Sequence, residues 1–171
     1  MVSLTSPANT IEQRTAEVAE PRLKVLAVID GTERAGRIIE YVAGLQSQGK
    51  GLHVVVLGVV QEPATGRLRG YGTFKQAQVY RGLIDTMRRR AVFAAARRLD
   101  QERIAHVNRV EVGDPAATIL RVAQEEGVDL ILLGDGPPGV VQRMLPSIGL
   151  SLATVTSQVV QLADVPVVVV K

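Results

Sequence analysis

Two stretches of this chain join an apolar run to a turn that could receive a charged ligand. Val128 to Gly139 reads V-D-L-I-L-L-G-D-G-P-P-G, and Leu23 to Ile29 (L-K-V-L-A-V-I) runs into Asp30-Gly31-Thr32-Glu33. In an open parallel sheet the carboxyl ends of the strands open into the ligand crevice, and a glycine there lets backbone N–H groups approach a phosphate with no Cβ in the way. The chemistry on offer is anion binding on backbone amides, with the Asp30 carboxylate as an acceptor beside it. A plain exit turn after a buried strand would use the same residues, so the rest of the chain has to decide.

Other chemistries lack their residues. No G-x-x-x-x-G-K-[ST] occurs, the turn after the first apolar run is not G-x-G-x-x-G, and no serine sits in a G-x-S-x-G elbow. The absence of cysteine excludes disulfides, thiolate metal sites and cysteine nucleophiles, and suits a cytoplasmic protein. Two histidines, His53 and His106, leave little for a histidine metal site, and His106 reads as a surface residue of an edge strand. No acid, base and nucleophile are spaced so that a reaction can be named. The expectation is a binding crevice without a catalyst, at most a slow ATPase.

Hydrophobic residues make up 46% of the 171 residues and aromatic ones only 3%, so the core has to come from Val, Leu, Ile and Ala, as in a buried parallel sheet under helices. The net charge of +3 rests largely on Arg88, Arg89, Arg90, Arg97 and Arg98, which fall on one expected helix. With almost no aromatic platform for bases, they read as a solvated face rather than a nucleic-acid surface. The apolar runs are too short for a membrane span, and the first residues lack the pattern of a secretion signal.

The elements that have to position the two turns follow in order. Residues 1–21 read as a mobile extension, and residues 22–171 as one domain. After the first strand, Thr32 is expected to cap a helix with Ala35, Ile38, Ile39, Val42 and Ala43 on its buried face. Leu52 to Val60 is a second strand, followed by a glycine-rich loop and a long helix from about Phe74 to Glu102. Its apolar stripe is Tyr80, Leu83, Ile84, Met87, Ala91, Ala94, Ala95 and Leu99. Ala105 to Val112 is an edge strand, diluted by polar residues. Asp114 as N-cap and Pro115 at the first helical position open a helix that Gly127 ends. The fourth strand precedes Gly134, a short helix spans Thr154 to Leu162, and Val165 to Lys171 is the fifth strand. This alternation predicts an α/β fold: an open five-stranded parallel sheet with helices on both faces, Rossmann-like. Winding outward from the first strand gives the order 3-2-1-4-5 and puts Asp30 and Gly134 in one crevice.

Four pieces in this order, V-L-A-V-I-D-G-T-E, V-E-V-G-D-P-A-A-T-I-L, G-V-D-L-I-L-L-G and A-D-V-P-V-V-V-V, resemble the universal stress protein family from about Leu23 to Lys171. The resemblance implies a site for an adenine nucleotide, ATP or AMP, with Mg2+ as its companion ion. Carried over, that site takes Val28 and Asp30 from the first strand, Val59 from the second, and Leu133 and Gly134 from the fourth. The family signature continues as Gly, two residues, Gly, nine residues, Gly, then Ser or Thr. Gly136, Gly139 and Gly149 reproduce the spacings but are followed by Leu150; counting back from V-P-V instead puts Gly-Ser on Ala153-Thr154. Pro137, Pro138 and Pro146 remove three N–H donors from this segment. Other members lack the signature and hold no ATP, which leaves a second reading: a nucleotide-free dimer acting through protein contacts.

Val165 to Val170 has five valines, one proline and no charge, and belongs at a sheet edge. Such an edge invites pairing unless something blunts it. A homodimer through the C-terminal strand is expected, and the resemblance implies it too; the apolar loop 139–152 is a further protein-contact surface.

Overall fold

A computed structural model describes residues 23–49, 51–61, 81, 82, 84–135 and 154–171. The proposed extension 1–21, the loop after the second strand and the loop 139–152 lie outside the described residues. Five strands form one parallel sheet in the order β3-β2-β1-β4-β5. They are β1 (Leu23–Ile29), β2 (Leu52–Val60), β3 (Ala105–Val112), β4 (Leu130–Gly134) and β5 (Val167–Val170). The helices are α1 (Arg34–Ser47), α2 (Phe93–Gln101, entered through a π-helical segment Met87–Val92), α3 (Pro115–Glu126) and α4 (Val155–Leu162). The architecture is the expected one.

Alternation along the strands sorts the core into two layers. Val25, Ala27 and Ile29 of β1, Val54 and Val56 of β2 and Leu132 of β4 pack with Ile38, Ile39 and Val42 of α1 and Ala95 and Leu99 of α2. Leu26, Val55, Leu57, Ile131 and Leu133 pack on the other face, with Ile119 and Val122 of α3 and Val159 of α4. Both faces of the central strands are therefore largely covered, and among the described residues β1 and β4 reach solvent mainly towards their ends. That is why the strand ends carry the polar residues.

The helix before α2 departs from the regular spacing. Its π-helical segment adds a residue to the turn, so the buried stripe moves: Val92 and Ala96 are buried and Ala94 is exposed, although the regular pattern puts Ala94 inside. Gly58 in β2 makes room for this segment. A Cβ on Gly58 would lie 2.8 Å from Met87 Cγ and 3.0 Å from Val92 Cγ2. Tyr80 and Leu83 lie outside the described residues.

Asp114 caps α3 through a bond from Ala117 N–H at 2.9 Å, and Gly127 closes the helix at φ +57°, a conformation that suits glycine. β5 starts at Val167 rather than Val165, because Pro166 has no N–H for the ladder; its carbonyl instead accepts from Ile131 N–H at 3.0 Å. His106 is not the surface residue expected of an edge strand. Its side chain is only 12% exposed, with Nδ1 3.1 Å from the Ile104 carbonyl, because the end of α2 folds over it.

The two sheet edges are treated differently. At the β3 edge six charges interlock: Arg109 pairs Glu111, Glu125 and Glu126, Arg121 pairs Glu111 and Glu125, and Lys24 pairs Glu126. Three cations balance three anions there, pinning β3 to α3 and blunting the edge. The β5 edge carries four half-buried valines and no charge before Lys171.

Candidate functional site

The site is built where β1 and β4, adjacent and parallel, both end; Ala27 of β1 lies opposite Leu132 of β4. The order of the strands reverses at this pair, which is where an open α/β sheet forms its ligand crevice.

The β1 side is a turn organised by Asp30. Its Oδ1 accepts from the Thr32 N–H at 3.0 Å and from the Thr32 hydroxyl at 2.6 Å, and its Oδ2 accepts from Arg34 Nη2 at 3.0 Å. Gly31 takes φ +75°, which glycine adopts without strain, so that the chain can fold back under the carboxylate. Glu33 occupies the N-cap position of α1 without a side-chain cap, and the Thr32 hydroxyl, one residue before it, donates to Asp30 while accepting a long bond, 3.3 Å, from Arg34 N–H at the start of the helix.

The β4 side is Gly134, followed by Asp135, whose N–H donates to the Val170 carbonyl at 2.9 Å. Gly134 does not have a left-handed φ, so the turn itself does not demand glycine. A neighbour does. A Cβ on Gly134 would lie 3.3 Å from Arg34 Cβ, 3.5 Å from Cδ and 3.7 Å from Nε, so the arginine stem lies against the bare backbone of β4. Arg34 thus bridges the crevice, touching Gly134 with its stem and Asp30 with its head. Its Nε is shielded from solvent and has no hydrogen-bond partner among the described residues.

Among the residues proposed from the sequence, Asp30 and Gly134 come together around Arg34. Val28 and Val59 are half-buried against the core layer of α3 and α4, and Leu133 is buried within it, so their side chains line the underside of the crevice rather than its mouth. Thr154 is the N-cap of α4, its Oγ1 accepting from Ser157 N–H at 3.1 Å. Gly136, Gly139, Gly149 and Ala153 lie outside the described residues. Arg34 was missed in the sequence. The signal that could have found it is its spacing, four residues after an aspartate at a strand end, which places the two charges on one face of a helical turn.

Burial pushes the Asp30 carboxyl up, but the bonds from Thr32 and from Arg34, with the Arg34 charge, outweigh it and hold the group below the usual aspartate value. Glu111, Glu125 and Glu126 are likewise held low by Arg109, Arg121 and Lys24 respectively as their leading partners. A carboxylate whose folded value lies below its unfolded value stabilises the fold above the unfolded value, and that contribution is lost as pH falls through the folded one. The urea midpoint should therefore drop between about pH 5 and about pH 3. Asp30→Asn should flatten the part of that slope that belongs to the crevice; an unchanged slope would mean that Asp30 is not paired in solution.

Among the described residues no group of His, Asp and Glu could hold a metal ion, and no helix is long and apolar enough to cross a membrane. A groove of about 510 Å³ between α3 and the end of α4, lined by Leu120, Ala123, Ile131, Leu162 and Val165, lies at the amino ends of β4 and β5, away from the crevice.

Among solved structures, the protein MJ0577 is 24% identical, with 86% of this chain and 94% of that one covered and a TM-score of 0.68. A universal stress protein from Archaeoglobus fulgidus in complex with dAMP is 20% identical over 88% of this chain and 98% of its own, at a TM-score of 0.53. A universal stress protein in complex with cAMP is 16% identical over 87% and 96%, at a TM-score of 0.55. At these identities the likeness is one of fold. No curated protein matches the chain. The sequence from residue 21 to residue 171 matches the universal stress protein family, in the order of strands and turns set out above, and the chain belongs to that family.

Proposed function

We propose that this protein is a regulatory module that holds an adenine nucleotide, ATP or AMP, in the crevice between β1 and β4, with Mg2+ accompanying the triphosphate. The observation that carries the reading is the meeting of the Asp30 carboxylate, the Arg34 guanidinium and the bare Gly134 backbone at the point where the strand order reverses. Adenine as the base is supported by the neighbours that hold dAMP and cAMP. The module works without catalysis of its own, in the cytoplasm and in a stress response, as a homodimer that pairs β5 with its copy. The open, uncharged β5 edge supports that dimer. The three prolines of the loop after β4 favour a second reading, a nucleotide-free dimer acting through protein contacts, with the loop 139–152 as a contact surface.

The test is whether protein purified without added ligand releases adenine nucleotide on denaturation, followed by ATP titration of Asp30→Ala. The nucleotide reading expects bound adenine and an affinity lowered by about tenfold or more in the variant, since a hydrogen bond to a charged group is removed. A protein that carries no nucleotide and gives no signal with millimolar ATP is the nucleotide-free dimer.

A further inference from the structure

Arg34 is held in an unusual way for an arginine at a crevice mouth. Its side chain is only 22% exposed, yet of the five N–H donors of a guanidinium only one, on Nη2, is bonded among the described residues, to Asp30. Nε is cut off from water and, among the described residues, has no partner. A cation this covered normally spreads its donors over several acceptors, and an orphaned donor points to an acceptor that completes the set when it is present. The stem cannot easily retreat, because it is wedged against Gly134 on one side and is the first residue of α1 on the other.

Four features say what that acceptor is. The guanidinium is a planar fork, whose geometry fits the paired oxygens of a phosphoryl group. It stands at the amino end of the 14-residue helix α1, where the helix dipole adds favourable potential for an anion. The Asp30 carboxylate shares its two oxygens among three donors, two of them from Thr32, so it orients Arg34 without saturating it. The glycine loop after β4, which would otherwise be asked to cradle phosphate on its amides, has lost three of them to Pro137, Pro138 and Pro146.

We propose that Arg34 is the residue that receives a phosphoryl group of the ligand in this crevice, and that Asp30 is its positioning partner. The proposal rests on the nucleotide reading given above and deepens it. It makes the crevice selective for charged ligands: ATP and AMP are bound through the guanidinium, adenosine is not, and binding weakens with salt.

Calorimetric titration of ATP, AMP, adenosine and inorganic triphosphate into nucleotide-stripped wild type, Arg34→Lys and Arg34→Met decides it, with a thermal melt of each. In Arg34→Met the affinity for ATP, AMP and triphosphate should fall by about tenfold or more, as expected on losing a charge-assisted pair, while that for adenosine stays within about twofold. Arg34→Lys, which keeps the charge and loses the fork, should fall between the two. If Arg34→Met binds ATP as wild type does, or loses ATP and adenosine alike, Arg34 is not the phosphoryl receiver. Wild type that binds triphosphate, with the expected loss in Arg34→Met, but prefers no adenine compound keeps the Arg34 assignment and removes the adenine reading. Binding of none of the four removes both.

Discussion

Gly134→Val is expected to abolish nucleotide binding and to lower the stability of the fold by about 1–3 kcal/mol, the cost of overpacking a filled site. The cost is steric rather than conformational. The backbone of Gly134 is not left-handed, so valine, a good strand residue, meets no φ penalty. Its Cβ alone would sit 3.3 Å from Arg34 Cβ, tight enough that the neighbour has to move, and valine carries two methyl groups beyond it. Arg34 is then expected to shift off the β4 backbone, which weakens its 3.0 Å bond to Asp30 and disturbs the start of α1. Binding and stability should fall together, read by ATP titration and by urea unfolding. Gly134→Ala should show a smaller loss of both. A valine variant that melts and binds like wild type would show that Arg34 is free to leave, and the geometry of the crevice would have to be redrawn.

Val169→Lys is expected to convert a dimer to a monomer. Among the described residues, β3 carries a six-membered charge network, whereas β5 is a row of valines that no described strand pairs on its outer side. Val168 and Val170 pack on the core layer of α1, and Val167 on that of α4, so a lysine at any of them would disturb the protomer itself. Val169 belongs to neither cluster, and a lysine there is the device by which natural edge strands prevent pairing. Light scattering at micromolar concentration should give the mass of two chains for the wild type and of one for the variant, with the same thermal melt at dilution. A wild type that is already monomeric would show that another part of the chain covers the β5 edge.

Much of this could be seen in the sequence. The strand order follows from alternation and handedness, and with it the adjacency of β1 and β4. The caps Asp114 and Gly127 were legible because local rules govern them, each using bonds within four residues. What escaped was set by contacts between distant segments. The π-helical segment exists where Met87 and Val92 meet the missing side chain of Gly58, a pairing across some thirty positions that no periodicity contains. The same holds for Gly134, whose need for a bare backbone comes from Arg34 and not from its own turn. Thr32 was assigned as a cap because threonine before a helix usually is one; its hydroxyl does accept from Arg34 N–H, at 3.3 Å, but the shorter bond it donates to the carboxylate two residues earlier was not read from the sequence. The edge histidine, His106, was placed on the surface by composition and is covered by the end of α2.

The measurement closest to the central claim is a backbone amide NMR titration with ATP. Shifts confined to Asp30, Gly31, Arg34, Gly134 and Asp135, saturating at one nucleotide per chain, are the predicted result, with Ala105 to Val112 at the β3 edge unmoved. Spectra unchanged at millimolar ATP, or shifts centred on the groove between α3 and α4, would contradict a nucleotide crevice between β1 and β4.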